Sequence, residues 1–123
     1  MLAGFFPNSN TIILHTERKI YFNVDRTDFF MDEITFNRKT YKGYTIPTTN
    51  ASLLAITAAN GMLACGYVKV ETADKLGDAL AIVTGVNTYD DMFAKNVVAV
   101  SKAAQAKGVA VGMTGREALE LLS

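Results

Sequence analysis

In the last third of the chain, two short apolar runs each lead into a Gly/Thr-rich turn that opens a helix: Thr84-Gly85-Val86-Asn87-Thr88 and Gly112-Met113-Thr114-Gly115-Arg116-Glu117. A strand that gives way to a helix through such a turn commits this part of the chain to a mixed α and β architecture. It also leaves the first backbone N–H groups of each helix without intrahelical acceptors. N–H groups aimed at one point form a common kind of anion site in small proteins, and they are equally an ordinary helix start.

With 123 residues, half of them hydrophobic, the chain can bury a core as one compact domain without disulfides or metals. Its 12 basic and 12 acidic side chains cancel, and like charges never cluster in fours. That leaves no electrostatic footprint for a phosphate backbone, so no nucleic-acid partner is expected. The apolar runs fall well short of the roughly 20 residues that span a bilayer, so no membrane association is expected and the protein should be soluble. Pro7, Asn8, Ser9 and Asn10 interrupt the apolar opening before it resembles a signal peptide, which points to the cytoplasm. Cys65 is the only cysteine and His15 the only histidine. This rules out an internal disulfide and a Cys/His zinc site within one subunit, and neither a metal nor a cofactor is expected.

Six of the seven phenylalanines lie in residues 1–36. Residues 11–16 and 20–24 read as β-rich runs around polar Glu17-Arg18-Lys19, suited to a hairpin, with residues 25–28 as a polar turn. Better patterning begins at Met31-Asp32-Glu33. Residues 1–30 are therefore expected to be a peripheral extension, with Met31 as an alternative start and residues 31–123 as the domain. The other reading packs an N-terminal hairpin onto the domain through its phenylalanines.

Within the domain, residues 33–36 and 41–46 flank Asn37-Arg38-Lys39 as a short hairpin closed off by Pro47. Residues 52–57 and 62–70 form a second hairpin through Asn60-Gly61, a dipeptide that tolerates the positive φ angles of a tight turn. Alternation in the second of these strands puts Ala64, Gly66, Val68 and Val70 on one face and Leu63, Cys65, Tyr67 and Lys69 on the other. A brief helix at 71–76 should stop at Gly77, and residues 79–83 form a continuous apolar strand. Thr88 caps a helix to Phe93 with Asp91 three residues on, and Thr114 with Glu117 matches the Thr-x-x-Glu capping box of a final helix. Between them, 96–107 reads as the longest helix, ended by Gly108, and 109–111 as a short strand.

Gly61-Met62-Leu63-Ala64-Cys65-Gly66, Val83-Thr84-Gly85-Val86-Asn87-Thr88 and the run from Gly108-Val109-Ala110-Val111-Gly112 through Ala118-Leu119 together carry a resemblance. From about residue 34 onward the chain resembles the YunC-like domain-of-unknown-function family of small bacterial and archaeal proteins. The resemblance implies a small α+β fold, assigns no catalytic residue, and leaves residues 1–30 outside.

Cys65 is the candidate nucleophile, but a reactive thiolate needs a cation, base or helix N-terminus beside it. Lys69, four strand residues away, lies about 13 Å off. The alternative is a buried, inert thiol. His15 reads as a surface strand residue, and Asp90-Asp91 as acids that complement a helix start without a metal. Met31, Met62, Met92 and Met113 read as core filler. The leading ligand-binding candidates are Gly112, Thr114, Gly115 and Arg116, where glycine freedom, a hydroxyl, helical N–H groups and a guanidinium coincide; Gly85 and Thr88 form the related turn. The full phosphate-loop and dinucleotide patterns are absent.

These readings combine into one α+β domain: an antiparallel or mixed β-sheet over residues 33–83, with C-terminal helices packed on one face. The apolar face bearing Leu63, Cys65 and Tyr67 should then be covered by self-association or by residues 1–30, making a homo-oligomer the expected state. The expected function is a binding or regulatory module for a small anionic ligand. The alternatives are a small enzyme using Cys65 thiol chemistry, or an oligomeric building block.

Overall fold

The computed structural model describes residues 17–21 and 29–123. Seven strands form one sheet in chain order: β1 (Glu17–Tyr21), β2 (Phe29–Phe36), β3 (Lys39–Pro47), β4 (Ser52–Ala58), β5 (Gly61–Ala64), β6 (Leu80–Ile82) and β7 (Ala99–Val100). Every neighbouring pair is antiparallel except β5 and β6, which run parallel with Met62 opposite Leu80 and Ala64 opposite Ile82. Helix α1 (Val70–Leu76) makes the crossover that a parallel pair requires. Helices α2 (Tyr89–Ala94), α3 (Lys102–Ala106) and α4 (Gly115–Leu122) follow. The architecture is therefore α+β with a mixed sheet.

Both expected hairpins form, but their turns exchange character. Phe36 pairs with Lys39, so Asn37 and Arg38 alone make the first turn, at φ 52° and 64°. Positive φ at both central residues matches the right-handed twist of the flanking strands. In the second hairpin Ala58 pairs with Gly61, and neither Asn60 nor Gly61 has a positive φ. Gly61 serves close approach instead: a Cβ there would stand 2.7 Å from Leu122 Cδ2 and 2.9 Å from the Ala79 carbonyl oxygen. The Asn60 N–H donates to the Leu122 carbonyl at 2.7 Å, tying this turn to the end of α4.

Alternation along the strands sends two sets of side chains to opposite faces. Leu54, Ile56, Leu63, Ala81 and Val83 join Ile34, Phe36 and Tyr41 in the main core beneath α2, α3 and α4. Ala55, Ala64, Leu80 and Ile82 form a thinner core on the reverse face with Ala73 of α1. The small residues there let α1 sit close. The expectation that the face of Leu63 and Cys65 needs a partner is thus corrected: those side chains lie under the C-terminal helices, at 0% and 5% exposure. Strand β5 also ends at Ala64 rather than at residue 70, so Tyr67 belongs to a loop. Gly77 ends α1 as expected, at φ 78°.

The largest correction falls on residues 96–111, expected to be a long helix and then a strand. Their backbone bonds are spent elsewhere: Val97 N–H on Met113, Val98 N–H on Ile82, and Ser101 N–H on Leu80. Only Lys102–Ala106 is helical, capped by Ser101. Val109 donates back to Ala104 and closes that helix instead of joining a ladder. Ser101, fully buried, takes N–H groups from Leu80 at 2.9 Å and Ala104 at 3.3 Å and donates to the Asp78 carbonyl at 2.8 Å.

Toward the amino terminus, Glu17-Arg18-Lys19 lies in β1 opposite Glu33, Asp32 and Met31, where a turn was expected. The sheet also continues past residue 31 to Phe29 in β2. Of the expected strand at 20–24, Ile20 and Tyr21 lie in β1, while its remainder, the expected strand at 11–16 and His15 lie outside the described residues.

Candidate functional site

Parallel strands end side by side, and the loops leaving their carboxyl ends open a crevice between them. Here the loop after β5 brings Cys65, Gly66 and Tyr67, the loop after β6 brings Gly85, Val86 and Asn87, and Ala51 and Ser52 close the side at the start of β4. They line an open cleft of about 420 Å³. Cys65 is locked at its base: its N–H donates to the Leu54 carbonyl at 3.0 Å, and its Sγ accepts the Leu54 N–H at 3.3 Å. On the rim, the Tyr67 hydroxyl lies 3.0 Å from Thr48 Oγ1, which also accepts the Ala51 N–H.

The walls of this cleft are rich in backbone donors. Among the described residues, the N–H groups of Gly66, Tyr67, Gly85 and Val86 have no hydrogen-bond acceptor. Gly85 holds φ 69°, a left-handed conformation that glycine adopts without strain. The Lys95 ammonium lies 3.8 Å from where a Gly85 Cβ would stand, so a positive charge borders these donors.

Thr88 caps α2 in a full capping box: its hydroxyl accepts the Asp91 N–H at 3.1 Å, and Asp91 Oδ2 accepts the N–H groups of Asn87 at 2.9 Å and Thr88 at 3.2 Å. The Asn87 hydrogen bond, followed by those of Thr88 and the charge of Lys95, holds the Asp91 carboxyl below the usual carboxylate range. Asp91 is thereby engaged in the helix start. Among the described residues, no three His, Cys, Asp or Glu side chains group to hold a metal.

The 112–116 turn does not line the cleft. Its capping box forms as expected: the Thr114 N–H reaches Glu117 Oε1 at 2.9 Å, and the Glu117 N–H reaches Thr114 Oγ1 at 3.2 Å. The Gly115 N–H goes to the Lys95 carbonyl at 2.9 Å, and the Gly112 N–H to the Val97 carbonyl at 2.8 Å. Arg116 turns along its own helix, with Nε 3.8 Å from Glu120 Oε2 and Cζ 5.7 Å from the centre of the Phe36 ring. Gly115 is a packing residue, since a Cβ there would stand 1.9 Å from the Met92 carbonyl oxygen. The sequence candidates therefore separate: Cys65 and Gly85 meet in the cleft, Thr88 borders it, and Gly112, Thr114, Gly115 and Arg116 lie apart.

Residues 64–122 match the family described as Domain of unknown function (DUF1805). A crystal structure of a protein of unknown function from Thermoplasma acidophilum, TA1206, superimposes with a TM-score of 0.74 at 36% identity, over 77% of this chain and 93% of that one. The chain belongs to the DUF1805 family. A comparison with curated proteins finds no match.

The stretch that matches DUF1805 contains Cys65, Gly66, Gly85, Asn87 and Lys95, so two walls of the cleft and its bordering cation fall within it. Reading the sequence missed Lys95, which no local pattern ties to Gly85. It also missed Asp32, although Asp32 shares strand parity with Ile34 and Phe36 and so points inward with them. Asp32 is fully buried and accepts the Tyr89 hydroxyl at 2.9 Å, and that hydroxyl lies 2.8 Å from Thr45 Oγ1. Gly43 makes room for the Tyr89 ring, since a Cβ there would stand 2.6 Å from Tyr89 Cζ.

Proposed function

We propose that this protein is a small binding or regulatory module whose ligand is a small anion, a carboxylate or phosphate, held in the cleft at the carboxyl ends of β5 and β6. The observation that carries this reading is the Lys95 ammonium beside Gly85, next to backbone donors that lack acceptors. An anion there would pair with Lys95 and accept N–H groups from the two loops, and charge-assisted bonds of this kind contribute roughly 1.5–3 kcal/mol each. Within this reading Gly85 and Thr88 keep their ligand-site role, while Thr114 and Gly115 serve capping and packing. The lone reduced thiol agrees with a cytoplasmic protein, and no helix among the described residues is long and apolar enough to cross a membrane. The three motifs quoted above support a kinship with the YunC-like proteins as part of this reading.

Thermal shift with inorganic phosphate and a panel of small carboxylates tests the reading. Wild type should be stabilised saturably, and Lys95→Ala should weaken the apparent affinity about ten- to a hundredfold. Equal responses in both proteins would remove Lys95 from the site.

A second reading rests on Cys65 standing at the base of the cleft with an N–H already directed at its sulfur. Thiol chemistry there requires rapid alkylation near neutral pH, slowed by phosphate; labelling only after unfolding eliminates it. We infer that a homo-oligomer would associate through the outer face of β2 and β3, where Met31, Tyr44 and Ile46 are only partly covered. Sedimentation of wild type and Ile46→Glu tests that assignment.

A further inference from the structure

Beside the main cleft lies a second cavity, of about 160 Å³, lined by Thr45, Leu54, Asn87, Thr88 and Tyr89. Asn87 lines both cavities, and Ser52 of the cleft and Leu54 of the cavity are next-but-one neighbours on β4, about 7 Å apart along one face. We propose that the two form one elongated site, and that the small cavity takes a hydroxyl or amino group of the same ligand whose anionic end occupies the cleft. The bound molecule would then be a small acid carrying a hydrogen-bond donor a few bonds from its charge. This inference rests on the anion reading of the cleft.

The direction of the hydrogen bonds sets the chemistry. The Tyr89 hydroxyl donates its single proton to Asp32, so in its contact with Thr45 it accepts, and the Thr45 hydroxyl is the donor. With that proton committed, Thr45 Oγ1 presents only lone pairs to the cavity. At Thr45 a ligand group that donates is therefore favoured over a methyl or a second acceptor. Asp32, buried with no exposed surface, fixes this direction, because its Oδ2 accepts from Tyr89. The Tyr89 ring is held over Gly43 by close fit, so the chain of hydrogen bonds cannot easily swing away. Leu54 supplies the apolar wall against which a short carbon chain would lie.

Isothermal titration with inorganic phosphate, n-propyl phosphate and glycerol 3-phosphate tests the proposal, using wild type, Thr45→Val and Thr45→Ser. The hydroxylated phosphate should bind about three- to tenfold tighter than the propyl ester in wild type and Thr45→Ser, as expected for a neutral hydrogen bond. In Thr45→Val the preference should vanish while phosphate affinity stays as in wild type. Equal binding of the two esters by wild type, or a preference kept in Thr45→Val, overturns the second cavity as a subsite and leaves the cleft intact. Loss of phosphate binding itself in Thr45→Val counts against a separable subsite. Failure of all three compounds to bind wild type overturns the anion reading, and this inference with it.

Discussion

Replacing Gly115 with alanine separates the two roles the sequence allowed for the 112–116 turn. A Cβ at this position would stand 1.9 Å from the Met92 carbonyl oxygen, 3.0 Å from the Met92 carbonyl carbon and 2.9 Å from Leu63 Cδ2. Two of these three atoms are backbone, and no rotamer change moves them. The start of α4 must separate from the end of α2 by about 1 Å, opening a close-packed interior. Overpacking typically costs about 1–3 kcal/mol, and a clash with backbone belongs at or above the upper end. Alanine regains at most about 1 kcal/mol in helix propensity over glycine, which does not offset it. Gly112→Ala is the control: it has nothing within 4 Å, and its φ of 100° leaves only backbone strain, about 1–2 kcal/mol. Urea unfolding of both variants should show Gly115→Ala with the lower midpoint and an unchanged slope. A Gly115→Ala protein as stable as wild type would refute the packing role and return the turn to candidacy as a ligand site.

Ser101→Ala removes the hub that joins β6, α3 and the Asp78 carbonyl, leaving buried N–H groups unpaired, and should lower stability by about 2–4 kcal/mol in urea unfolding. The Tyr41 hydroxyl is buried without a hydrogen-bond partner among the described residues, so Tyr41→Phe should match or exceed wild type by up to about 1 kcal/mol. Burial, with the nearby Glu120, raises the Tyr41 pKa above 10.0. Its neutral form therefore supports the fold fully below that pH and the contribution is lost as pH rises through the raised value, so alkaline unfolding should be shallower in Tyr41→Phe. Asp91 has the opposite sign: its pKa is held below 3.8 by the Asn87 N–H above all. Its support is present above that pH and lost as pH falls through the lowered value, so Asp91→Asn should flatten the acid limb of a stability profile.

The helix starts were legible because a capping box is local: Thr88 with Asp91 and Thr114 with Glu117 need only three residues of sequence to close. The hairpins were legible for the same reason. What failed depended on distant partners. Residues 96–107 have an alanine and lysine pattern that suits a helix, yet Val97 and Val98 bond to Met113 and Ile82, and tertiary pairing overrides propensity. The turn at Asn37-Arg38 carries no glycine, and its positive φ angles follow from the register of Phe36 with Lys39. Gly115 looked like a flexible ligand-loop residue because its true neighbour, Met92, is 23 positions away. Of the site, Cys65 and Gly85 were identified separately from their residue types. Their meeting in one cleft comes from the parallel pairing of β5 with β6, which neither motif encodes alone.

The most direct test of the cleft as the anion site is a backbone amide titration by NMR with inorganic phosphate. Saturable shifts should concentrate at Gly66, Tyr67, Gly85 and Val86 and disappear in Lys95→Ala, with the amides of Asn87, Gly115 and Glu117, already hydrogen-bonded within the chain, nearly unmoved. Largest shifts at residues 112–117, or none that saturate anywhere in the protein, would contradict the account.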